Sequence, residues 1–329
     1  MNPPPTPTDA MSVPRPEDQF LPAVSIVIPS RFRHDLLEKC LETVVAFATV
    51  PMEIIVIDDG SPEGNVSRVA ERFPVTRIIR NEVSVGFAAA VQSGIDLAKA
   101  PVIHLLNDDT RVTAGWLDLP LACLRDRRVG AVTPLVLRDN GSVPPRIDSA
   151  GDSYAASGRV FKRLSGRRVP LAIEGRWVFG ASGSSAFYRK EALAEVGGFP
   201  VEFGAYFEDV EVSWRLQRGG WRVWFCPESV VWHKVTASYG TVSSDELMEK
   251  MVGNQEMVFV NHGLSLYKGV GLVLHLLLML FRLLKVFALG RSVVFLRGVI
   301  KGLNSSLLMR PKRFSWRMRP GMRIPTDLI

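Results

Sequence analysis

From Val24 onward, short β-branched apolar runs alternate with amphipathic stretches. The runs are VSIVI (24–28), EIIVI (53–57), VTRII (75–79), VIHLL (102–106) and VGAVTPLV (129–136), and between them lie DLLEKCLETVVAF, VGFAAAVQSGIDLA and TAGWLDLPLACL. Strand, helix, strand repeated in this way implies βαβ units and an α/β domain built on a largely parallel sheet. In such sheets the ligand sits beyond the carboxyl ends of the strands, so the residues that follow each run are where chemistry is expected.

Two of those strand ends are acidic. EIIVI runs into Asp58, Asp59, Gly60 and Ser61, and VIHLL into Asn107, Asp108, Asp109 and Thr110. An Asp at a turn often only caps a helix or closes the turn. Two such clusters at the same edge of one sheet face one crevice, however, and carboxylates gathered there repel each other until a cation joins them. Further on, GASGSSAFYRKEALAEVGGF (180–199) reads as a Gly/Ser-rich loop, a short strand and a helix stopped by Gly197 and Gly198. FEDVEVSWRLQRGG begins a helix near Phe207 that ends at Gly219 and Gly220. On its wheel Glu208, Glu211, Arg215 and Arg218 form a charged stripe, expected to be solvated. Asp209 falls on the side of Val212 and Leu216, and an inward carboxylate needs a partner or a task. His233, after the apolar run VVW, is on local grounds either a core histidine or a ligand. Residues 140–176, rich in Gly, Ser, Pro and Arg without a sustained period, read as a mobile excursion over the site.

The ends of the chain differ from its middle. Residues 1–22 hold seven prolines and almost no apolar side chains, a flexible lead-in without the basic and apolar regions of a secretory signal. The catalytic part is therefore expected in the cytoplasm. Cys40, Cys123 and Cys226 have no metal-like spacing and read as buried small side chains. The net charge is +7, but from His262 onward twelve Lys and Arg face a single acid, Asp327, so the tail is +11 and the remainder −4. The tail is also strongly apolar, and its longest uncharged run, Gly269 to Phe281, is shorter than the ~20 residues of a membrane span. His275, Arg282 and Lys285 share one helical face, and Arg291, Arg297, Gly298, Lys301 and Asn304 another. Two amphipathic helices lying in a membrane interface, basic faces toward anionic headgroups, are expected; packing on the catalytic domain or on a partner subunit, and a kinked membrane hairpin, are the alternatives. Because these bases alternate with Leu, Val and Phe, nucleic acid is not an expected partner.

The blocks VSIVIPSRFR, EIIVIDDGSPEG, VGFAAAVQSGIDLA, LLNDDTRVTAGWL, GASGSSAFYRKEALAEVGGF, FEDVEVSWRL and WHKVTAS, in this order, resemble the family 2 glycosyltransferases of the GT-A fold. The resemblance covers residues 23–262 and leaves 263–329 as the basic helical tail. The style of the later blocks is closest to rhamnosyltransferases of cell-envelope polysaccharide assembly. It implies a metal-dependent, inverting hexosyl transfer from a nucleoside-diphosphate sugar, dTDP- or UDP-linked, to a glycan or lipid-linked acceptor. Pro29, Arg31, Asp58, Asp59, Gly86 and Phe87 correspond to the nucleotide-binding positions. Asn107, Asp108 and Asp109 stand where the family writes its DXD element, with Asp108 toward the sugar or ribose and Asp109 a ligand of Mn²⁺ or Mg²⁺. His233 matches a further metal ligand, Asp209 the catalytic base, and Gly183 and Glu208 the acceptor side. An enzyme of this kind is expected to work as a peripheral protein on the inner face of the cell membrane.

The residues ask for this chemistry independently. A departing diphosphate gathers negative charge that a divalent cation neutralises, and an attacking hydroxyl must pass its proton to a base such as an inward carboxylate. A nucleotidyltransferase, the other enzyme class with such a sheet, needs a Gly-rich phosphate loop early in the chain, and SRFRHD lacks the glycines. A processive polysaccharide synthase needs several membrane spans. A scaffold that has lost turnover draws on Asn107 in place of an acid, and Asp109, Asp209 and His233 speak against it.

Overall fold

The computed structural model describes residues 22–73, 76–235 and 244–308. The lead-in up to residue 21, Thr236 to Ser238 of WHKVTAS, and the arginine-rich end of the tail lie outside the described residues. The chain runs β1 (Val24–Ser30), α1 (His34–Ala46), β2 (Met52–Asp59), α2 (Asn65–Ala70), β3 (Thr76–Asn81), α3 (Phe87–Leu97), β4 (Val102–Leu106), β5 (Thr110–Val112), α4 (Asp118–Cys123) and β6 (Val129–Arg138). It continues through β7 (Ile147–Ser149), β8 (Asp152–Tyr154), β9 (Val160–Lys162), β10 (Arg176–Val178), β11 (Ser185–Arg189), α5 (Lys190–Glu195), α6 (Glu208–Arg218) and β12 (Arg222–His233). Three helices close it: α7 (Ser244–Val258), α8 (Leu264–Phe287), joined to α7 by a π-helical turn at Phe259–Gly263, and α9 (Ser292–Leu308).

Ten strands form one mixed sheet in the order β10-β12-β6-β11-β4-β1-β2-β3, with β5 and β7 paired at its rim. β4, β1, β2 and β3 are mutually parallel, as the βαβ rhythm requires, and β11 enters antiparallel between β4 and β6. Both faces are covered. Along β1 and β2, Ile26, Ile28, Ile54 and Val56 pack with Leu37, Leu41 and Val66 of α1 and α2, while the alternating Val27, Ile55 and Ile57 pack with Val91 and Ile95 of α3. This is the period-2 pattern of a strand buried on two sides. A third cluster of Tyr154, Phe179, Phe203, Val210, Trp214, Met257 and Val258 joins α6 to α7.

Three sequence expectations need correction. The stripe on α6 is not solvated: Glu208 and Glu211 are buried, and over Glu211 lies the π-helical turn, whose His262 Nε2 meets Glu211 Oε2 at 2.9 Å with its ring stacked on Trp214. Residues 140–176 are not an aperiodic excursion but supply β7 to β10, and Ile147, Asp148, Ser149, Ala150 and Asp152 are buried. The tail is turned the other way round. His275 is buried against Glu256 and the Ser157 carbonyl, Arg282 meets Gln255, Arg291 meets Asp245 and Lys301 meets Glu249, so the polar face packs on the domain. Leu276, Leu277, Leu280, Phe281, Leu284, Phe287, Val293, Ile300 and Leu307 are left exposed. α8 also runs unbroken through Arg282 and Lys285, and its segment Gly269–Phe287, with mean hydropathy 2.1, is long and apolar enough to cross a membrane.

α9 docks on α7 through small residues. A Cβ on Gly298 would stand 2.7 Å from the Glu249 carbonyl oxygen, and one on Gly302 would collide with that of Gly253. The two backbones can therefore meet only because both positions are glycine. Gly302→Val should push α9 off α7 and cost about 1–3 kcal/mol, read as a lower midpoint in thermal denaturation; an unchanged midpoint refutes this packing.

Candidate active site

The carboxyl ends of β1, β2 and β4 bring the acidic clusters together. Each of the two carboxylates after β2 is used up by its neighbours. Asp58 is fully buried; Oδ1 accepts from Ser61 N (2.8 Å) and Oδ2 from Ser67 Oγ (2.6 Å) and Ser67 N (3.2 Å), with Arg80 Nη1 at 3.5 Å. It ties the turn to the start of α2 and has no face open to a nucleotide. Asp59 accepts from Asn81 Nδ2, Ser84 Oγ, Val85 N and Gly86 N at 2.6–3.1 Å. Burial pushes its pKa up, but these donors outweigh it and hold the carboxylate below its ordinary range. Asp59 thereby fixes Gly86, which has φ +89°, and the Phe87 that opens α3. Pro29 is buried in β1, and Arg31 is exposed on the loop beyond it, stacked on Phe32.

After β4 the chain turns through Asn107, Asp108 and Asp109. The Ser30 hydroxyl donates to Asp108 Oδ2 at 2.6 Å, and burial together with the neighbouring Asp109 charge lifts the Asp108 pKa to about 7. Asp109 Oδ2 is buried without a hydrogen-bond partner, and no well-directed hydrogen bond reaches Oδ1 either. Its near neighbour is His233 at the end of β12, whose Nε2 lies 3.2 Å from Oδ1. The same ring reaches Asp148 Oδ2 through Nδ1 at 3.0 Å. Burial lowers the His233 pKa, but the two flanking carboxylates prevail and raise it to about 9, so at neutral pH an imidazolium supplies the positive charge between them. Asp148 is driven up by burial and brought down to about 2 by His233 and by Lys162, whose Nζ is 3.0 Å away.

Asp209 opens α6, just beyond the Gly/Ser loop. Its Oδ2 accepts from Gly183 N and its Oδ1 from Val210 N, both at 2.8 Å. Glycine at 183 suits this approach, because a Cβ there would sit 3.0 Å from Oδ2 and crowd the carboxylate. Burial raises the Asp209 pKa in spite of these bonds, and the adjacent Glu208, buried next to that charge, is pushed up to about 8. Preceding α6, Tyr206 and Phe207 have φ +70°, and the Asn254 side chain of α7 donates to the Phe203, Ala205 and Tyr206 carbonyls. Gly204 O accepts from Ala88 N of α3, so one loop touches the α3 start, the carboxylate helix and α7.

Three residues of this neighbourhood escaped the sequence reading: Asp148, Asp152 and Lys162. Asp152 is buried with its pKa well above the ordinary value, through burial first and the Asp209 charge second. Lys162 feels Asp148, Asp152 and Asp209, which keep it charged against burial. Their stretch carries no period, and each pairing spans a long loop or another strand.

Comparison with known proteins places this arrangement. Residues 25–197, more than half of the chain, match the model of glycosyl transferase family 2. The chain is 28% identical over 225 residues to the N-acetylglucosaminyl-diphospho-decaprenol L-rhamnosyltransferase of Mycobacterium tuberculosis, covering 62% of this chain and 73% of that protein. It is 24% identical over 233 residues to the poly-beta-1,6-N-acetyl-D-glucosamine synthase of Staphylococcus epidermidis, covering 68% of this chain and 53% of that one. Among solved structures the fold is similar to GalNAc-T7 with UDP, GalNAc and Mn²⁺ (TM-score 0.57, 20% identity, 74% of this chain and 48% of that chain). It is also similar to the mannosyltransferase PcManGT of Pyrobaculum calidifontis with GDP-Man and Mn²⁺ (TM-score 0.54, 18% identity, 86% and 88%).

Proposed function

The chain belongs to glycosyl transferase family 2, and from that premise we propose that it is an inverting glycosyltransferase that joins a sugar from a nucleoside diphosphate to a hydroxyl of a lipid-linked or cell-envelope glycan. The observation that carries the reading is the pair formed by Asp109, whose Oδ2 is buried with no hydrogen-bond donor, and His233, whose Nε2 lies 3.2 Å from Oδ1. Buried, unpaired carboxylate oxygens are costly unless they serve an ion or a ligand. One carboxylate and one imidazole suit Mn²⁺, or Mg²⁺ with less from the His, because such ions keep positions for water and diphosphate oxygens. When bound, the cation neutralises the charge that gathers on the departing diphosphate.

The chain's own groups do the rest. Asp59 holds Gly86 and Phe87 at the nucleotide edge, and Pro29, Arg31 and Asp108 line the donor side. Asp58, which the resemblance placed on the nucleotide, acts instead through the turn it holds. Asp209, fixed by Gly183 and Val210, takes the proton of the acceptor hydroxyl as its oxygen bonds to the anomeric carbon and the nucleoside diphosphate leaves from the opposite side. Glu208 stands on the acceptor side. The likeness to the mycobacterial rhamnosyltransferase favours rhamnose as the transferred sugar, with dTDP or UDP as its carrier, and that protein's decaprenol-linked substrate favours a lipid-linked acceptor. Such an acceptor places the enzyme on the inner face of the cell membrane, with α8 and α9 as the contact. His275 and Arg282 hold the middle and far part of α8 against Ser157, Glu256 and Gln255, which favours a helix lying along the surface over one crossing the bilayer.

Nucleoside diphosphate release from a panel of sugar nucleotides, with Mn²⁺, Mg²⁺ or EDTA, tests the reading. One nucleotide should be released, EDTA should stop it, and Asp109→Ala should lower the rate by at least about 100-fold. EDTA-resistant release, or full activity in the variant, removes the metal; no release from any donor removes the transfer.

A further inference from the structure

The excursion between β6 and β10, which the family resemblance leaves without a role, reaches the site at one point. Asp148 on β7 is 2% exposed, and its Oδ2 faces His233 Nδ1 and Lys162 Nζ, each at 3.0 Å, while Arg138 Nε stands 3.9 Å from Oδ1. Lys162 comes from β9, opposite Asp152 in the β8–β9 pair. An imidazole offers a lone pair to a cation through one nitrogen when the other carries the hydrogen, so the partner of Nδ1 decides what Nε2 can do. A carboxylate oxygen at 3.0 Å is positioned to accept the Nδ1 hydrogen, and a lysine held in place on the same oxygen stops it from rotating away.

We propose that Asp148, anchored by Lys162, is the positioning residue of the cation site: it accepts the Nδ1 hydrogen of His233 and so aims the Nε2 lone pair at the ion shared with Asp109. The inference rests on the metal reading above and adds to it a residue outside the matched motifs. It also gives the β7 to β9 segment a task. The segment packs beneath the end of β12 and fixes the one ring that must be neutral and correctly turned for the cation to bind. A carboxylate that merely stabilised the fold would change the melting temperature of the protein and leave the coordination of a bound ion as it was.

Mn²⁺ titrated into the full chain and followed by electron paramagnetic resonance gives the affinity, and the electron spin-echo modulation reports a directly bound imidazole nitrogen without any turnover. Wild type should show one coupled nitrogen. Asp148→Ala should lose that coupling and bind Mn²⁺ about 10–100-fold more weakly, Asp148→Glu should recover both in part, and Lys162→Met should weaken binding less. Lys162 is partly exposed, so its variant keeps the test available if Asp148→Ala does not fold. Wild-type coupling and affinity in Asp148→Ala, or in Lys162→Met where only that variant folds, overturn the proposal. Wild type that binds Mn²⁺ without a coupled nitrogen overturns it too while leaving Asp109 as a ligand, and wild type that binds no Mn²⁺ brings down the metal reading itself.

Discussion

Asp209→Asn should lower kcat by about 10² to 10⁴-fold, the worth of a positioned general base, while the KM for the nucleotide sugar stays near its wild-type value. The amide keeps the shape of the carboxylate, so the sugar-nucleotide side, built by β1, β2 and β4, is untouched. What is lost is the ability to take a proton. The environment of Asp209 gives the same prediction a pH dependence. Burial raises its pKa, and the bonds from Gly183 and Val210 offset only part of that. A base works in its ionised form, so wild-type kcat/KM should climb as pH rises through that raised value instead of being flat above pH 5, and the residual rate of Asp209→Asn should lack this limb. Steady-state nucleotide release across pH checks both statements. A variant with wild-type kcat, or a KM that rises while kcat is unchanged, would show that Asp209 binds substrate and does not move a proton.

Much of this site was readable from local pattern, because its parts sit at strand ends. VIHLL followed by Asn107, Asp108 and Asp109 is legible because a parallel strand must stop where its ligand begins. Asp209 stood out by its phase on the α6 wheel, next to Val212 and Leu216, and it is indeed held against the Gly183 loop. The same wheel misjudged Glu208 and Glu211. Periodicity says which residues share a face; what covers that face is decided by a later segment, here the turn carrying His262, 51 residues on from Glu211. Asp148 failed for a related reason. In a stretch without period an Asp looks like a turn residue, and its partners His233 and Lys162 are 85 and 14 residues away. The side chain of Gln92 on α3 is engaged with Phe199 N and Asp96, a link between α3 and the loop after α5.

Charge gave the least reliable guide in the tail, because a base on an apolar helix can face either solvent or a carboxylate of its own domain. Composition is identical in the two cases. Glu249, Gln255 and Glu256 on α7 decide it, and once they have engaged Lys301, Arg282 and His275 the apolar side is what the helices present outward. Lys285 and Arg297 remain exposed among the leucines.

Leu276→Glu with Leu280→Glu should therefore detach the protein from lipid vesicles. Both side chains are more than half exposed and lie four residues apart on one face of α8. Burying a leucine side chain in hydrocarbon is worth roughly 1.5–3 kcal/mol, so removing two corresponds to a loss of about 10²-fold or more in partition, before the cost of inserting two carboxylates. Flotation with vesicles containing anionic lipid, at low and high salt, separates the two ways the tail can hold. Apolar insertion is not screened by salt, whereas attachment through bases weakens steeply as the Debye length shrinks. Wild type should float at both salt concentrations and the double variant at neither, while nucleotide release in solution stays intact because both leucines point to solvent rather than into the domain. Release of wild type by salt alone would return the contact to the basic residues, and a double variant that still floats would mean that the exposed face of α8 meets another protein surface.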